Sequence, residues 1–169
     1  ESAKRARAVL THTTCGRVID LGISDANNMG AAMAPAAFET LAAHFRDTGR
    51  GFDDYDLVVT GDLGRLGRDL LIELLKEKKI KVCEEKLFDC GCHIFDARQD
   101  THAGGSGCGC AASMLCAHLL PEVAAGRLNR ILFMATGALL SPTTTMQGES
   151  IPGIAHAVVI EHEGGKKTC

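Results

Sequence analysis

The sequence predicts an α/β fold in which a five-stranded mixed sheet carries helices on its faces, in the order β-α-β-α-β-α-β-β. Runs rich in Val, Ile and Leu alternate along the chain with stretches whose apolar residues recur at helical spacing. The last two of these runs are joined by a loop that contains no predicted helix. Because alternating elements form parallel strands through right-handed crossovers, we expect four parallel strands and an antiparallel fifth.

Five runs of the chain are typical of strands. The first is rich in Val, Ile and Thr, and the second is a short apolar run of the kind found in buried parallel strands. The fourth run, RILFMATG, has the strongest strand character. The predicted strands span residues 8–20, 56–61, 86–95, 130–137 and 154–162.

Three stretches between these runs predict helices, at residues 31–47, 66–79 and 106–120. Pro35 belongs in a first helical turn, so the first helix is expected to start close to it, and Gly49 suits its C-terminus. The third stretch consists of small residues and is expected to kink or restart at Pro121. In the second stretch five leucines fall on one helical face: Leu66, Leu70, Leu71, Leu74 and Leu75.

Composition and charge exclude several classes of protein. The 169 residues carry a net charge of −3 and 4% aromatic side chains, which argues against a basic or base-stacking surface for nucleic acid. No apolar run reaches the ~18 residues of a membrane-spanning helix. The eight cysteines are expected to be reduced, because a chain this long and apolar does not need a disulfide framework. The C-x-C pairs, Cys90/Cys92 and Cys108/Cys110, lack zinc-site spacing, and a strand would point their thiols to opposite faces, so no metal or cofactor is predicted.

The densest signal for function is the loop QDTHAGGSGCGCAA at residues 99–112. A glycine-rich loop directly before a helix leaves backbone N–H groups free to bind an anion, and His102 could bind or protonate that anion. The alternative is tight packing of the helix on the sheet, with His102 merely hydrogen-bonded. The long loop at residues 136–153 fits two interpretations equally well, a binding loop or a set of turns.

Several phrases of the sequence resemble one protein superfamily. THAGGSGCG is similar to the His-x-x-Gly loop in the second half of thiolase-type proteins, with His102 at the family histidine and Gly105 three residues on. ILFMATG and PGIAHAVVIEH are similar to the glycine-rich turn and last strand of that superfamily. Within it, DANNMGAAMAPAA, DDYDLVVTGDLG, QDTHAGGSGCGC and TGALLSPTTTMQGESIPGIAHAVV resemble the stage V sporulation protein AD family.

The resemblance implies a domain organisation and a function. Residues 1–163 would form the C-terminal half of a thiolase-like protein whose N-terminal half is missing from this chain, and residues 164–169 a flexible tail. The protein would bind dipicolinic acid, or its calcium salt, for uptake into the developing spore. It would lie peripherally on the cytoplasmic side of the spore inner membrane, with other proteins of the same transport system. The apolar face left by the missing half would favour a homo-oligomer.

Departures from the thiolase pattern argue against catalysis. Ala135 stands where thiolases place a second catalytic cysteine, and Asp89, Cys90 and Gly91 stand where the superfamily places an Asn- or His-containing motif. One remaining histidine, His102, does not supply the nucleophile and the enolate-stabilising groups of a Claisen condensation. The alternatives are a diverged acyltransferase of thiolase or ketoacyl synthase type, and a purely structural half that docks on its partners.

The ligand is expected at the carboxyl ends of the strands, where open α/β sheets bind ligands. The third helix is expected to begin beside Ser106 and Gly107, with its free N–H groups directed at the ligand. No catalytic or metal-binding residue is predicted. The predicted ligand-binding residues are His102, Gly104, Gly105, Ser106, Gly107, Gly137 and Ala138.

Overall fold

Five strands form one mixed sheet in the computed structural model, which describes residues 7–164. The strands are β1 Ala8–Thr14, β2 Leu57–Thr60, β3 Leu87–Asp89, β4 Arg130–Ala138 and β5 Gly153–His162. Across the sheet they lie in the order β1-β5-β4-β2-β3. β2 pairs in parallel with β3 and with β4, whereas β5 is antiparallel to β4 and to β1.

Four strands therefore run in one direction and β5 runs against them. This confirms the predicted mixed sheet with an antiparallel last strand, and β5 pairs with β4 as expected, with Ile131 opposite Ile160. The sequence does not indicate that β5 lies between β4 and β1, because apolar periodicity carries no information about which strands are neighbours.

Helices cover both faces of the sheet. They are α1 Met29–Thr48, α2 Gly64–Glu77, α3 Cys90–His93, α4 Cys110–Met114, α5 Leu120–Ala124 and α6 Pro142–Met146, with a π-helical turn at Leu115–Leu119. α1 and α2 pack on one face, against Leu132 and Met134 of β4. The helical segment from α4 to α5 packs on the other face, against Ile131 and Phe133, because successive residues of a strand point to opposite sides of the sheet.

β1 is shorter than predicted. It ends at Thr14 rather than at residue 20, because the chain then turns across the end of β5. There the Gly16 N–H donates to His156 Nδ1 at 3.1 Å. A Cβ atom on Gly16 would overlap the Ala155 carbonyl, so only glycine fits this close approach.

β3 is also shorter than predicted, and it ends at Asp89 instead of residue 95. The Asp89 carboxylate accepts a hydrogen bond from the Cys92 N–H at 3.1 Å and thereby caps the helical turn α3. Cys90 and Cys92 accordingly lie in a helical turn, and the expectation that a strand separates their thiols is wrong.

The helices begin at different residues from those predicted. α1 starts at Met29, ahead of Pro35, because the Asn28 side chain accepts a hydrogen bond from the Ala31 N–H at 3.3 Å. Pro35 lies inside this helix, at the cost of one backbone hydrogen bond. α2 starts at Gly64, close to the predicted position.

The third predicted helix begins at Cys110 instead of residue 106, because Gly107 has a φ of 122°, a backbone conformation that a right-handed helix does not contain. It continues to Ala124 through the π-helical turn, which ends at Leu119, two residues before Pro121. Proline crowds the carbonyl group of the residue four positions before it. That residue lies within the π-helical turn, which is wider than an α-helical turn. The predicted kink at Pro121 thus takes the form of a local change in helical pitch.

The predicted loop at residues 136–153 contains the short helix α6. Ser141 Oγ accepts a hydrogen bond from the Thr144 N–H at 3.1 Å and caps its N-terminus. The predicted tail at residues 164–169 lies, beyond Gly164, outside the described residues, and the domain boundary at residue 163 stays a prediction. Within residues 7–164, none of the helices has both the length and the apolar character needed to cross a membrane.

One buried carboxylate ties the carboxyl ends of β2 and β3 to α2 and α3. The Asp89 side chain is fully buried and accepts four hydrogen bonds. Its Oδ2 accepts from Thr60 Oγ1 at 2.6 Å and from the Leu63 N–H at 2.9 Å. Its Oδ1 accepts from the Gly64 N–H at 3.0 Å and from the Cys92 N–H. Two of these N–H groups belong to the start of α2, where the helix dipole favours a negative charge.

Replacing Asp89 by Asn is expected to lower the free energy of unfolding by about 3 kcal/mol or more, because the amide loses acceptor positions and leaves buried donors unpaired. Urea-induced unfolding measures the change. The matched control is Asp69→Asn on the exposed face of α2, for which a change within about 0.5 kcal/mol is expected. A loss below about 1 kcal/mol for Asp89→Asn would contradict the role assigned to this carboxylate.

A second buried polar network joins α1 to β1 and to the segment before β2. His44 is fully buried, and its ring nitrogens lie 2.7 Å from Thr14 Oγ1 and 2.6 Å from Tyr55 Oη. Burial, together with the positive charge of Arg50, lowers the pKa of His44 from its ordinary 6.5 to about 4. The imidazole therefore stays neutral in the folded protein at neutral pH.

The low pKa of His44 makes stability depend on pH. Between pH 6.5 and about 4 the unfolded chain binds a proton that the folded chain does not, so the free energy of unfolding falls as the pH is lowered. The slope from this group is at most about 1.4 kcal/mol per pH unit. Urea melts at a series of pH values measure it: His44→Gln should remove this part of the slope, whereas His118→Gln, at an exposed helical position, should keep it. Equal slopes for His44→Gln and the parent chain would show that another group is responsible.

Candidate functional site

A pocket of about 550 Å³ lies at the carboxyl ends of β2 and β4. This is the edge of the sheet at which the sequence places the ligand, and its volume lies in the range of small-molecule sites. One wall comes from α1, another from α4 and the loop before it, and the floor from β4. The lining residues are Met29, Met33, Asp62, Ser106, Gly107, Cys108, Ala111, Ala112, Leu115, Phe133, Ala135, Thr136, Gly137 and Ala138.

Asp62, just beyond the end of β2, organises the polar side of this pocket. Its Oδ2 accepts hydrogen bonds from Ser106 Oγ at 3.0 Å and from the Gly107 N–H at 3.1 Å. Its Oδ1 accepts from Thr136 Oγ1 at 3.1 Å, and its own N–H donates to the same hydroxyl oxygen. The carboxylate thereby connects the glycine loop to the ends of both central strands.

The electrostatic character of the lining is negative. Among the described residues that line the pocket, Asp62 is the acidic side chain, and no Lys, Arg or His belongs to the lining. Besides Asp62, these lining residues include one other titratable group, the thiol of Cys108, which is exposed. The rest of the wall is made of small or apolar side chains, with the hydroxyl groups of Ser106 and Thr136 at its polar end.

The structure brings four of the predicted site residues together. Ser106 and Gly107 from the glycine loop face Gly137 and Ala138 from the end of β4 across the pocket. The predicted free N–H group of Gly107 is not free, because it already donates to the Asp62 carboxylate. The expectation that this N–H group is available to a ligand is therefore corrected.

The other three predicted residues lie outside the pocket lining. The His102 side chain is 89% exposed, and its Nδ1 lies 3.7 Å from the Asp100 carboxylate. Gly104 and Gly105 pack against α3, where the Gly105 N–H donates to the Gly91 carbonyl at 2.7 Å. A Cβ atom on Gly104 would lie 2.5 Å from the same oxygen, so the glycines serve the tight packing that the sequence left open as an alternative. Their part in ligand binding stays a prediction.

Sequence reasoning missed Asp62 and Thr136. A signal was present for both, since Asp62 follows the apolar run DLVVTG and Thr136 lies within the strongest strand. Residues just beyond the ends of neighbouring parallel strands meet at one edge of the sheet. What the sequence does not give is that β2 and β4 are neighbours, and this adjacency alone brings the two side chains together.

Three of the four C-x-C cysteines are buried or half-buried, and Cys108 is exposed. Burial, together with the negative charge of the nearby Asp89 carboxylate, raises the pKa of Cys90 and of Cys92 to about 12. Burial also raises the pKa of Cys110. Such thiols are poor nucleophiles and poor metal ligands, because both roles require the thiolate. In the part of the chain that the structure describes, no group of three or more His, Cys, Asp or Glu side chains is placed to hold a metal ion.

Comparisons with known proteins agree with this architecture. The sequence profile of the family described as Stage V sporulation protein AD (SpoVAD) matches residues 2–161. Stage V sporulation protein AD of Bacillus subtilis (strain 168) is 49% identical over 156 residues, which cover 92% of this chain and 46% of that protein. The chain thus spans about half the length of the curated relative it matches.

A solved structure has the same fold. AbyA1, a tetronic acid condensing enzyme, superposes with a TM-score of 0.53 and 16% sequence identity, over 91% of this chain and 47% of that chain. This similarity shows a shared thiolase-like fold and confirms the predicted fold class. The match over residues 2–161 and the 49% identity confirm the predicted family as well, and the chain belongs to the stage V sporulation protein AD family, whose members are sporulation proteins.

Proposed function

We propose that this chain provides one wall of a non-catalytic binding site for dipicolinic acid, or its calcium salt, during uptake into the developing spore. The observation that carries the proposal is the pocket at the carboxyl ends of β2 and β4, which combines hydroxyl groups at one end with apolar walls elsewhere. Because the chain spans about half of its curated relative, the rest of the site would come from the remainder of the protein.

The lining suits a flat aromatic ring that carries polar groups at its edge. Met29, Met33, Leu115 and Phe133 offer apolar surface to the ring faces. The polar end consists of the Ser106 and Thr136 hydroxyl groups and the Asp62 carboxylate to which they donate, so a ligand carboxylate would bind there by exchanging with Asp62 or through a cation that it carries.

The same lining gives little support for catalysis. Ala135 faces the pocket at the position where thiolases carry a second catalytic cysteine, and it contributes no functional group. The alternative function, a diverged acyltransferase, is favoured by one observation, the exposed thiol of Cys108 at the pocket. An acyl-transferring thiol needs a base beside it, and in the described lining the candidate is Asp62, whose carboxylate already accepts three hydrogen bonds.

The proposal includes the setting of the protein in the cell. We propose a peripheral position on the cytoplasmic side of the spore inner membrane, next to other proteins of the same transport system. Exposed apolar side chains in the loops beyond β1 and β4 support contacts with other proteins or with further copies of the chain. Within these two loops the largest exposed fractions belong to Leu21, Leu139 and Met146.

Filling the pocket should weaken dipicolinate binding without unfolding the protein. In Gly137→Leu the new side chain leaves β4 on the same sheet face as Phe133 and Ala135, and its Cβ meets only Ile154 Cγ2, at 3.6 Å. We expect the dissociation constant to rise by about tenfold or more, measured by calorimetry on the protein as its gene encodes it. The matched control is Gly51→Leu, because Gly51 also has open space around a Cβ but lies at the other end of α1.

Three results separate the possibilities. Weak binding by Gly137→Leu with parental binding by Gly51→Leu supports this pocket as the site. Parental binding by both variants would move the site elsewhere, and an absence of binding by the parent protein would refute dipicolinate as the ligand.

A thioester assay tests the alternative function. We expect no release of free coenzyme A from acyl-coenzyme A by the parent protein, and Cys108→Ala should therefore leave the rate at background. Turnover by the parent protein that Cys108→Ala abolishes would establish acyl transfer through this thiol and overturn the non-catalytic proposal.

A further inference from the structure

A second pocket, of about 360 Å³, lies at the other end of α1 from the first, between the last turns of that helix and the segment that follows α2. This volume is within the range of small-molecule sites. Its apolar wall is formed by Ala42, Phe45, Phe52 and Ile80, and the rings of Phe45 and Phe52 meet edge to face with their centroids 5.5 Å apart. This wall would shelter the aliphatic part of a ligand from water.

The charged side chains of the second pocket make it electropositive. Arg46, Arg50 and Lys81 belong to the lining and Asp53 is its acidic residue, so three positive charges accompany one negative charge. The partial negative charge at the C-terminus of α1 is about half an elementary charge, which is too small to offset this excess. The potential of the pocket therefore favours an anion.

Two of these cations are engaged in ion pairs at the protein surface. Arg46 Nε lies 3.0 Å from Asp47 Oδ1, and Lys81 Nζ lies 2.8 Å from Asp53 Oδ2. All four side chains are more than half exposed. Exposed ion pairs contribute little to stability, so either cation can turn toward a ligand at small cost.

The third cation, Arg50, has a hydrogen-bond donor that the fold leaves unused. Its Nη1 is buried and has no hydrogen-bond partner within the described part of the chain, and Glu161 Oε1 lies 3.8 Å away. That oxygen already accepts hydrogen bonds from Arg130 Nε and from Thr11 Oγ1. The Arg50 side chain is 21% exposed and lines the pocket, so a rotation of the guanidinium group would bring the unused donor to an anion there.

We propose that this second pocket binds an amphipathic anion, with its phosphate or carboxylate group at Arg46, Arg50 and Lys81 and its aliphatic chain against Phe45 and Ile80. The guanidinium group of Arg50 offers parallel N–H donors, which match the oxygens of such a group. A phospholipid headgroup and a soluble alkyl phosphate or fatty acid share this chemistry. The inference does not depend on dipicolinate binding in the first pocket.

Three probes test the proposal on the protein as its gene encodes it. Calorimetry measures binding of octyl phosphate below its micelle concentration, of inorganic phosphate and of octanol. We expect octyl phosphate to bind at least about tenfold more tightly than either of the others, because each of those offers one half of the recognised chemistry. Octyl phosphate that binds no more tightly than octanol, or does not bind, would overturn the proposal.

A variant that fills the second pocket locates the binding. Gly51 lines the pocket, has an extended backbone with φ −144°, and a Cβ atom there meets nothing within 4 Å. Gly51→Leu should therefore weaken octyl phosphate binding by about tenfold or more. Gly137→Leu fills the first pocket and should bind octyl phosphate with parental affinity. Parental affinity in Gly51→Leu would place the probe elsewhere and contradict the assignment.

A second variant tests the charge without filling the pocket. Arg46→Gln should weaken octyl phosphate binding by about threefold or more and leave octanol binding unchanged. The matched control is Arg17→Gln, because Arg17 is equally exposed, is paired with Glu39 and lies outside this lining. A thermal melt reports whether each variant is folded. Equal affinities of the two arginine variants for octyl phosphate would show that the lining does not recognise the anionic group.

Vesicles distinguish the two sources of the ligand. Co-sedimentation is measured with vesicles of phosphatidylcholine alone and with vesicles that also contain phosphatidic acid. Binding to the phosphatidic acid vesicles that Gly51→Leu abolishes would support a phospholipid as the ligand. Binding of octyl phosphate without binding to either vesicle would support a soluble amphipathic anion in the same pocket.

Discussion

The buried Asp89 carboxylate is the interaction on which the functional edge of the sheet depends. It accepts hydrogen bonds from β2, from the first residues of α2 and from α3, so it fixes the segment that leaves β2 relative to the end of β3. A buried charge is tolerated only when donors surround it, and here four donors do so. The position of Asp62 follows from this arrangement, because its neighbour Leu63 is held by the same carboxylate.

Asp62 and Asp89 lie near each other at one edge of the sheet and serve different purposes. Asp89 is fully buried, and its described hydrogen bonds hold strands and helices together. Asp62 is half-buried, lines the pocket and holds the glycine loop against β4 through Ser106, Gly107 and Thr136. One carboxylate therefore builds the edge of the sheet, and the other gives the pocket its charge.

The chain keeps the thiolase-like fold, while its pocket offers little of the chemistry of condensing enzymes. Ala135 brings no thiol to the pocket, and burial with the negative charge of Asp89 raises the pKa of the neighbouring Cys90 and Cys92 thiols to about 12. A fold can persist while its site takes another role, because packing and site chemistry depend on different residues. The fold supplies the cleft, and in this chain the polar groups that line it are hydroxyl groups and one carboxylate.

The sequence by itself determined the fold class, the direction of every strand and the family. Apolar periodicity and family motifs are properties of short stretches of the chain, so they can be read directly from the sequence. It also placed Ser106, Gly107, Gly137 and Ala138 at one pocket. The tertiary structure alone decided which strands are neighbours, and hence that Asp62 meets Thr136 and takes the Gly107 N–H. It also decided that His102 points into solvent. Such contacts join residues far apart in the chain, and no local pattern encodes which distant donor a carboxylate will find.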